Sequence, residues 1–326
     1  MATKRGGVKV RILLFLCLVF SLLVAADLHI LFSNSENGHI HGCRCPVNPK
    51  SGLIKRAAFI RSYRQKYPDR TLLLTSGDLF YLYPNKPRAQ QMLSSLASLD
   101  YDAVTLGDQD FVNGLDFLEE MQKELPLLAA NVSYKKNNQK KSLDGHLIRK
   151  VNGVRVAVIG VVQKKFFNYP HLRQIKNKLY IENARSVLKQ QLTQVKNKSD
   201  IILLLSHLGI ETDRKIAADF PELDIIIGGH SQYLTSKPNI INNVIILQAG
   251  GKGNFQGELK LTLDSEHKIS DHEVIFHFFR YDKNTKKDKI IGSKTFTKYT
   301  YKIHDGTPDD KIIKKIIHKA RQNSGH

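Results

Sequence analysis

Apolar runs alternate with amphipathic stretches over most of the chain, in an order that predicts repeated strand–helix units. Each short apolar run ends in a turn that carries glycine or serine, and a longer stretch with one apolar face follows it. Leu28–Phe32 is the first predicted strand, and Ile54–Tyr67, which is rich in basic residues, is the first predicted helix. The further predicted strands are 71–75, 103–106, 155–162, 201–205 and 225–227, and the further predicted helices are 88–99, 115–125 and 183–197.

The pattern changes after about residue 240. The runs 244–248, 258–264 and 273–279 are shorter and alternate more strictly, which is typical of antiparallel strands. Gly250–Gly253 is predicted to be a turn between strands. The lysine-rich stretch Pro308–Arg321 repeats isoleucine on one face and predicts a helix, which we expect to dock on the domain rather than rest on an anionic membrane. The fold class is therefore α/β, with a more purely β end.

The amino terminus has the pattern of a secretory signal. Four basic residues lie within positions 4–11, and the uncharged run 12–26 ends in Val24-Ala25-Ala26. This run has 15 residues, whereas a membrane-spanning helix needs about 20. We therefore expect residues 1–26 to be a signal peptide cleaved before Asp27, with the mature protein periplasmic or extracellular. The alternative is an uncleaved amino-terminal membrane anchor.

The composition excludes disorder, a fibrous repeat and a polytopic membrane protein, since 41% of the 326 residues are hydrophobic and 25% are charged. Lys and Arg number 50 against 30 Asp and Glu, so the formal net charge is +20. The signal peptide carries four of these positive charges and no acid, so +20 becomes +16 after cleavage. Such a charge favours phosphate-bearing or other anionic small molecules, membrane surfaces or acidic proteins as partners. No nucleic acid partner is expected, because the basic residues are not interleaved with aromatic ones.

Four metal-ligand side chains occur directly after predicted strands, in turns that carry glycine or serine. They are Asp78, Asp108, His207 and His230. The carboxyl ends of parallel strands are where α/β sheets bind ligands, because the following loops converge there. Carboxylate and imidazole groups together suit a divalent cation such as Zn, Mn or Fe. The sequence therefore predicts a metal site at this edge of the sheet.

The same segments resemble the calcineurin-like metallophosphatases, specifically their exported 5′-nucleotidase branch, over residues 28–264. The matching blocks are Ile30-Leu31-Phe32-Ser33-Asn34, Ser76-Gly77-Asp78, Gly107-Asp108-Gln109-Asp110-Phe111, Ala130-Asn131, Ser206-His207-Leu208-Gly209 and Gly228-Gly229-His230-Ser231. The resemblance implies a four-layer αββα sandwich with a two-metal centre that binds a bridging water and the phosphate. It implies a metallophosphatase-like domain at 27–280 and a basic extension with a helix at 281–326. The chain ends too soon for the carboxyl-terminal nucleotide-recognition domain of that branch.

Several positions depart from the family pattern. Ser35 and Asn37 stand where the resemblance places an Asp and a His ligand of the first metal, and Gln232 replaces a further His. Asp108 and Gln109 replace the family's Asn and its His that assists the leaving group. The second-metal ligands Asp78, Asp108, His207 and His230 remain, which predicts one metal rather than two. The catalytic positions carried over by the resemblance are Asp78, Asp108, Gln109 and His207, and loss of the imidazole at Gln109 predicts weak or absent activity.

The first loop carries a second set of reactive side chains, in His39-Ile40-His41-Gly42-Cys43-Arg44-Cys45. It is similar to the first loop of a subset of nucleotidase relatives that have a Cys-x-Cys or selenocysteine there. Cys43 and Cys45, with His39 and His41, can bind a soft metal or form a redox-active pair. The alternative is two surface histidines and a strained, inert disulfide. A one-residue shift of this loop would bring His39 or His41 inward and restore a second metal.

Three functions are consistent with these features. The favoured one is an exported metal-dependent phosphoesterase with one retained metal site. The second is a thiol redox or metal-handling protein that uses Cys43 and Cys45 on the same scaffold. The third is a catalytically inactive anion-binding module.

Overall fold

The computed structural model describes residues 26–42, 52–164, 172–237, 239–279, 289–296, 299–305 and 307–323. The predicted signal peptide lies outside the described residues except for Ala26, which begins the first strand. Cys43 and Cys45 also lie outside them.

Strands and helices alternate along the first part of the chain, and strands dominate the later part. The strands of the described residues are β1 (Ala26–Ser33), β2 (Thr71–Ser76), β3 (Ala103–Thr105), β4 (Leu127–Leu128), β5 (Val132–Lys136), β6 (Gln139–Ser142), β7 (His146–Val151), β8 (Val154–Val162), β9 (Leu179–Ile181), β10 (Ile201–His207), β11 (Ile225–Gly228), β12 (Ile240–Ile241), β13 (Val244–Leu247), β14 (Phe255–Leu263), β15 (Ile269–Phe279), β16 (Lys289–Phe296) and β17 (Tyr299–Asp305). The helices are α1 (Gly52–Lys66), α2 (Lys86–Ala97), α3 (Gly114–Glu124), α4 (Arg173–Lys176), α5 (Ala184–Val195), α6 (Ile210–Asp219) and α7 (Lys311–Asn323).

Two large sheets carry the fold. The larger has the strand order β16-β17-β15-β14-β1-β2-β3-β4, and the smaller has the order β12-β13-β11-β10-β8-β7. Strands β1 to β4 run parallel to one another, and so do β8, β10, β11 and β13. A separate three-stranded sheet has the order β6-β5-β9. Each large sheet therefore has a group of parallel strands whose carboxyl ends lie at one edge.

The alternation of side chains along the strands explains the layers. In β1, Ile30 packs between the two sheets, whereas its neighbour Leu31 packs against the helices outside the larger sheet. In β10, Leu203 packs between the sheets, and Leu204 packs against the helices outside the smaller sheet. Because both faces of each sheet are apolar, helices cover both outer faces. The predicted four-layer αββα arrangement is confirmed.

The later strands differ from the prediction in two respects. Val244–Leu247 was expected to be purely antiparallel, but β13 pairs parallel with β11 and antiparallel with β12. Its four residues are all buried, as the residues of parallel strands usually are. The hairpin β5–β6 and strand β7 were not predicted, because β6 is wholly exposed and gives no apolar alternation.

The predicted carboxyl-terminal helix is present as α7 and docks on the helical layer of the larger sheet. Ile313 and Ile317 are buried in the same core as residues of α1 and α2. Asp310 accepts hydrogen bonds from the backbone N–H groups of Ile312 and Ile313, and it pairs with Arg61 of α1 at 2.9 Å. Among the helices of the described segments, none is both long and apolar enough to cross a membrane.

A buried polar cluster lies beneath α1 on the larger sheet, and its centre is the carboxylate of Glu258. This carboxylate accepts hydrogen bonds from Tyr63 Oη at 2.7 Å and from His277 Nε2 at 2.6 Å. His277 Nδ1 lies 2.8 Å from His304 Nε2, and His29 Nδ1 lies 2.6 Å from Tyr63 Oη. The hydrogen-bonded cluster around this carboxylate thus connects four strands of the sheet, β1, β14, β15 and β17, to helix α1.

This cluster makes folding sensitive to acid. Burial lowers the pKa of His277 below its ordinary value of 6.5, although Glu258 opposes the shift. Burial alone would raise the pKa of Glu258, but hydrogen bonds and charge from His277 outweigh it and lower the pKa to about 2. In both cases the unfolded chain binds its proton at a higher pH than the folded chain. Stability is therefore lost on acidification, from about pH 6.5 downward for His277 and between about pH 4.5 and 2 for Glu258.

Between pH 7.5 and pH 5, we expect His277 to lower the free energy of unfolding, measured in urea, by about 1–2 kcal/mol. Asp213, whose pKa burial raises to about 7, contributes with the opposite sign, so the test is the difference between the parent and a variant. His277→Gln removes the titrating group, so its free energy of unfolding should fall by about 1–2 kcal/mol less than that of the parent over this range, even if it is less stable at every pH. The matched control is His318→Gln, which changes an exposed histidine of α7. An unchanged slope in the His277 variant would show that the acid sensitivity lies elsewhere.

Candidate metal centre

The four predicted ligands lie at the carboxyl ends of neighbouring parallel strands. Asp78 follows β2 and Asp108 follows β3 in the larger sheet. In the smaller sheet His207 is the last residue of β10, and His230 follows β11. Since β2 pairs with β3 and β10 pairs with β11, the two sheets each bring two ligands to the same edge.

The ligand atoms of these four residues all lie within 4.8 Å of one another. His207 Nε2 is 3.3 Å from Asp78 Oδ2 and 3.6 Å from Asp108 Oδ1, and His230 Nδ1 is 3.4 Å from Asp108 Oδ1. The side chains of Asp78, Asp108 and His207 are at most 4% exposed, whereas that of His230 is 21% exposed. The cluster is thus buried on three sides and reached from the side of His230.

Two glycines allow the loops to approach this closely. A Cβ atom on Gly107 would lie 2.2 Å from Asp78 Oδ1, and a Cβ atom on Gly229 would lie 2.3 Å from the Ser76 carbonyl oxygen and 2.8 Å from His207 Nδ1. Any side chain at either position would therefore separate the ligands.

Two of the ligands have unusual backbone conformations. The φ angles of Asp78 and His230 are +55° and +68°. This left-handed region is uncommon for residues other than glycine, although Asp and His adopt it more readily than most. Residues held in this way concentrate at functional sites, where the surrounding structure maintains the strain.

The carboxylate of Asp110 holds the two aspartate loops together. It is fully buried and accepts backbone hydrogen bonds from Asp78 (2.9 Å), Leu79 (2.7 Å), Phe80 (3.3 Å) and Gly107 (2.7 Å). The loops after β2 and β3 thus share one acceptor. Sequence analysis included Asp110 in a matching block but assigned it no role.

A second set of buried groups supports the histidine loops. Asp213 of α6 accepts hydrogen bonds from Ser206 Oγ and from Gln248 Nε2, and burial raises the pKa of Asp213 to about 7. Gln248 Nε2 also donates to the Gly229 carbonyl oxygen, and Gln248 Oε1 accepts from Ser231 Oγ. Asp213 and Gln248 were not predicted, because they meet only in the folded chain and no local pattern marks either residue.

The donor set fits a divalent cation. His207 Nδ1 lies 2.6 Å from the Ser76 carbonyl oxygen, so it carries the proton and leaves Nε2 as an electron-pair donor. His207 Nε2 and Asp108 Oδ1 are buried and make no hydrogen bond within the described structure. Burial lowers the pKa of His207, but the charges of Asp78 and Asp108 outweigh it, so its pKa lies well above the ordinary value. Two buried carboxylates therefore create a place for positive charge, which a metal ion would fill.

The residues at the predicted first-metal positions form a network of hydrogen bonds between side-chain amides and backbone groups. Gln109 donates to both oxygens of Asp78, through its backbone N–H at 3.2 Å and Nε2 at 3.1 Å. Asn37 Nδ2 donates to Gln109 Oε1 at 3.1 Å, and Asn37 Oδ1 accepts from the Lys252 N–H at 3.3 Å. The Ser35 N–H donates to the Gly77 carbonyl oxygen, and Gln232 lies against Gly251. Neutral hydrogen-bonding groups therefore lie beside Asp78, and the Gln109 amide shares Asp78 Oδ2 with His207 Nε2, which is 3.3 Å away.

A buried ion pair anchors the first loop between Ser35 and Asn37. Glu36 Oε2 accepts a hydrogen bond from Arg56 of α1 at 2.5 Å, and both side chains are fully buried. Arg56 also donates to Gln256 of β14 at 3.1 Å. The position of the loop is thus fixed by a contact that no motif in the sequence indicates.

The other predicted candidates of this loop lie apart from the metal-ligand cluster. The His39 ring packs 5.8 Å from the ring of Tyr81, and His41 lines a groove between α2 and α7. Neither belongs to the group of four ligands found among the described residues. A soft-metal or redox site that includes Cys43 and Cys45 stays a prediction, since both cysteines lie outside the described residues.

Comparison with known proteins was made by sequence and by structure. A 5′-nucleotidase of Diplobatis ommata is 27% identical in an alignment of 295 positions that covers 79% of this chain and 50% of that protein. A 5′-nucleotidase precursor of Thermus thermophilus superposes with a TM-score of 0.72 at 20% identity, covering 92% of this chain and 59% of that one. The calcineurin-like phosphoesterase YfkN of Bacillus subtilis superposes with a TM-score of 0.70 at 20% identity and covers 92% and 98%. The chain is a homologue of the 5′-nucleotidase-type metallophosphoesterases.

These relatives and structural neighbours are of the kind that the motifs resemble, and the superpositions confirm the predicted fold. No sequence-family model matches the chain. The metallophosphoesterase relatives are longer, since the chain spans 30%, 50% and 40% of the first three curated ones. These relatives are hydrolases of phosphate esters, and the cluster of Asp78, Asp108, His207 and His230 lies where two parallel sheets of this fold converge.

We expect the purified protein to contain about one divalent metal ion per chain, because one complete ligand set is present. His207→Ala removes a buried ligand and should reduce the content measured by elemental analysis to near zero. His318→Ala is the matched control, since it removes an exposed histidine of α7 and should leave the content unchanged. Two ions per chain, or equal content in both variants, would contradict this assignment.

Proposed function

We propose that the protein is an exported, metal-dependent phosphoesterase with a mononuclear centre. The observation that supports this most directly is the buried cluster of two carboxylates and two imidazoles on a metallophosphoesterase fold. Export is inferred from the basic residues and apolar run of positions 4–26. The substrates are phosphate-bearing small molecules, which the homology to nucleotidases and the net charge of the exported form, +16 after the predicted cleavage, both favour.

Asp78, Asp108, His207 and His230 would hold the cation, with His207 bound through Nε2. A bound cation supplies a Lewis acid for a phosphate oxygen and lowers the pKa of bound water. Four protein ligands fill a tetrahedral shell, so a cation that accepts five or six ligands keeps room for water and phosphate. We therefore rank Mn and Fe above Zn as the active metal.

Gln109 provides no general acid for the leaving group. Its side chain hydrogen-bonds to Asp78 and Asn37, and an amide neither donates nor accepts a proton in the way an imidazole does. The leaving group must then depart without a proton from this position. Phosphate esters of acidic alcohols, such as phenols, are therefore better substrates than esters of ordinary alcohols.

We expect the Mn-loaded protein to hydrolyse p-nitrophenyl phosphate and the Zn-loaded protein to do so at least about tenfold more slowly. Asp108→Ala removes a ligand and should abolish hydrolysis, as measured by release of p-nitrophenolate. Asp116→Ala is the control, because Asp116 is an exposed acid of α3. Absence of hydrolysis with Mn, Fe and Zn, together with retained metal binding, would support the inactive anion-binding module instead.

Gln109→His provides a second test, because it restores an imidazole next to Asp78. Since general-acid catalysis contributes about 10²–10⁴-fold, the variant should raise the rate on an alkyl phosphate far more than the rate on p-nitrophenyl phosphate. The readout is the ratio of kcat/KM values for the two esters. Gln90→His, at an exposed position of α2, should leave that ratio unchanged. An unchanged ratio in the Gln109 variant would show that the leaving group needs no proton from this position.

A further inference from the structure

The helical layer outside the larger sheet has an unusual charge distribution. Its helices α1, α2 and α7 contain twelve Lys and Arg residues and no Asp or Glu. The remaining long helix of this layer, α3, is acidic, with four Asp and Glu residues and one Lys. The opposite layer is mixed, since α6 carries Glu211, Asp213 and Asp219, and Arg185 and Arg214 of that layer pair with Asp219 and Glu211. Positive charge is therefore concentrated on the part of the outer layer that α1, α2 and α7 form.

The cations of α1, α2 and α7 fall into two groups. Six are neutralised by carboxylates, in the pairs Arg56–Glu36, Lys55–Asp309, Arg61–Asp310, Arg64–Asp102, Lys86–Glu120 and Lys314–Asp309. The other six have no carboxylate within ion-pair distance in the described structure. This unpaired group consists of Lys66, Arg88, Lys311, Lys315, Lys319 and Arg321, all exposed.

The outer side of α7 combines these cations with apolar side chains. Ile313 and Ile317 are buried, whereas Ile312 is 46% exposed and Ile316 is partly exposed. Ile312, Lys315, Ile316 and Lys319 follow the spacing of one helix side. An exposed isoleucine between lysines is typical of a helix that lies at a membrane surface.

A groove between α2 and α7 is also lined by both cationic and apolar side chains. Its volume is about 910 Å³, and its lining combines three cations (Arg88, Lys319, Arg321), three apolar residues (Pro87, Ile316, Ala320) and four uncharged polar or imidazole side chains (His41, Gln90, Gln91, Ser94). No acidic side chain lies among the described residues that line it. The Arg88 guanidinium is held 4.8 Å from the Tyr81 ring centroid, which orients it beside the groove. Three cations with no acid among them match an anionic head group, and the apolar residues beside them match the start of a hydrocarbon chain.

We propose that this face rests on the surface of a bilayer that contains anionic phospholipid. We name it the basic helical face and define it by Arg88, Lys311, Ile312, Lys315, Lys319 and Arg321. The lysines attract the anionic head groups, and Ile312 enters the boundary between head groups and acyl chains. A soluble polyanion would satisfy the charges but would leave Ile312 in water, so the apolar residue favours a lipid surface. Helix α7 can therefore dock on the domain through Ile313 and Ile317 and still contact lipid through its other side.

The test compares binding of the full chain to vesicles of phosphatidylcholine alone and of phosphatidylcholine with phosphatidylglycerol. Because the apolar run 12–26 is common to every variant, initial association rates are recorded together with the amount bound. We expect the anionic vesicles to be preferred, with a preference that weakens as salt is added. Lys315→Glu/Lys319→Glu/Arg321→Glu should reduce binding to anionic vesicles at least about tenfold.

The matched control is Lys189→Glu/Lys196→Glu/Lys215→Glu, which makes the same change of charge at exposed positions on the opposite helical layer. It should reduce binding less than about threefold. A third variant, Ile312→Ser, should weaken vesicle binding but leave binding to heparin unchanged. Circular dichroism establishes that each variant is folded.

Equal losses in the two charge-reversed variants would overturn the proposal, because they would show attraction by net charge alone. Equal binding to both kinds of vesicle would overturn it as well. An unaffected Ile312→Ser variant, with heparin competing fully against vesicles, would replace lipid with a soluble polyanion as the partner. Vesicle binding is measured without a metal ion or a hydrolysis step. A negative result would therefore contradict the membrane proposal without bearing on the proposed phosphoesterase activity.

Discussion

The candidate site depends first on the carboxylate of Asp110. By accepting backbone N–H groups from Asp78, Leu79, Phe80 and Gly107, it joins the loops that follow β2 and β3 into one rigid unit. The unit holds Asp78 at a positive φ angle, and the close approach at Gly229 then sets His207 and His230 against it. Because four hydrogen bonds converge on one buried group, the ligand geometry is built before any cation binds.

Much of this arrangement could be predicted from the sequence, because its causes are local. An apolar run followed by Gly or Ser and then by Asp or His marks a strand end with a ligand, and all four such positions meet in the structure. The layers were predictable for the same kind of reason, since strands such as Ile201–His207 are apolar on both faces and must be covered on both.

The groups that hold the ligands in place could not be predicted in this way. Asp213 and Gln248 are far apart in the chain, and so are Glu36 and Arg56, yet each pair is in contact. These contacts stabilise the site only after the backbone has brought the residues together and excluded water. No spacing or periodicity in the sequence therefore indicates them. The prediction of antiparallel pairing for β13 was wrong for a related reason. A four-residue apolar run fits a parallel partner as well as an antiparallel one, and β13 has one of each.

The differences from the family pattern at Ser35, Asn37 and Asp108 together change the charge of the site. By its resemblance to two-metal phosphatases, the chain has exchanged an Asp and a His ligand for the neutral Ser35 and Asn37, and an Asn for the carboxylate of Asp108. In the proposed mononuclear centre, one divalent cation with Asp78 and Asp108 would give no net charge, so the loaded centre itself would attract a phosphate dianion weakly. The attraction would then come from the rest of the molecule, whose net charge, +16 after the predicted cleavage, supplies a positive field. In that arrangement the approach of the anion is governed by the whole surface, and the metal centre acts only after the anion has arrived.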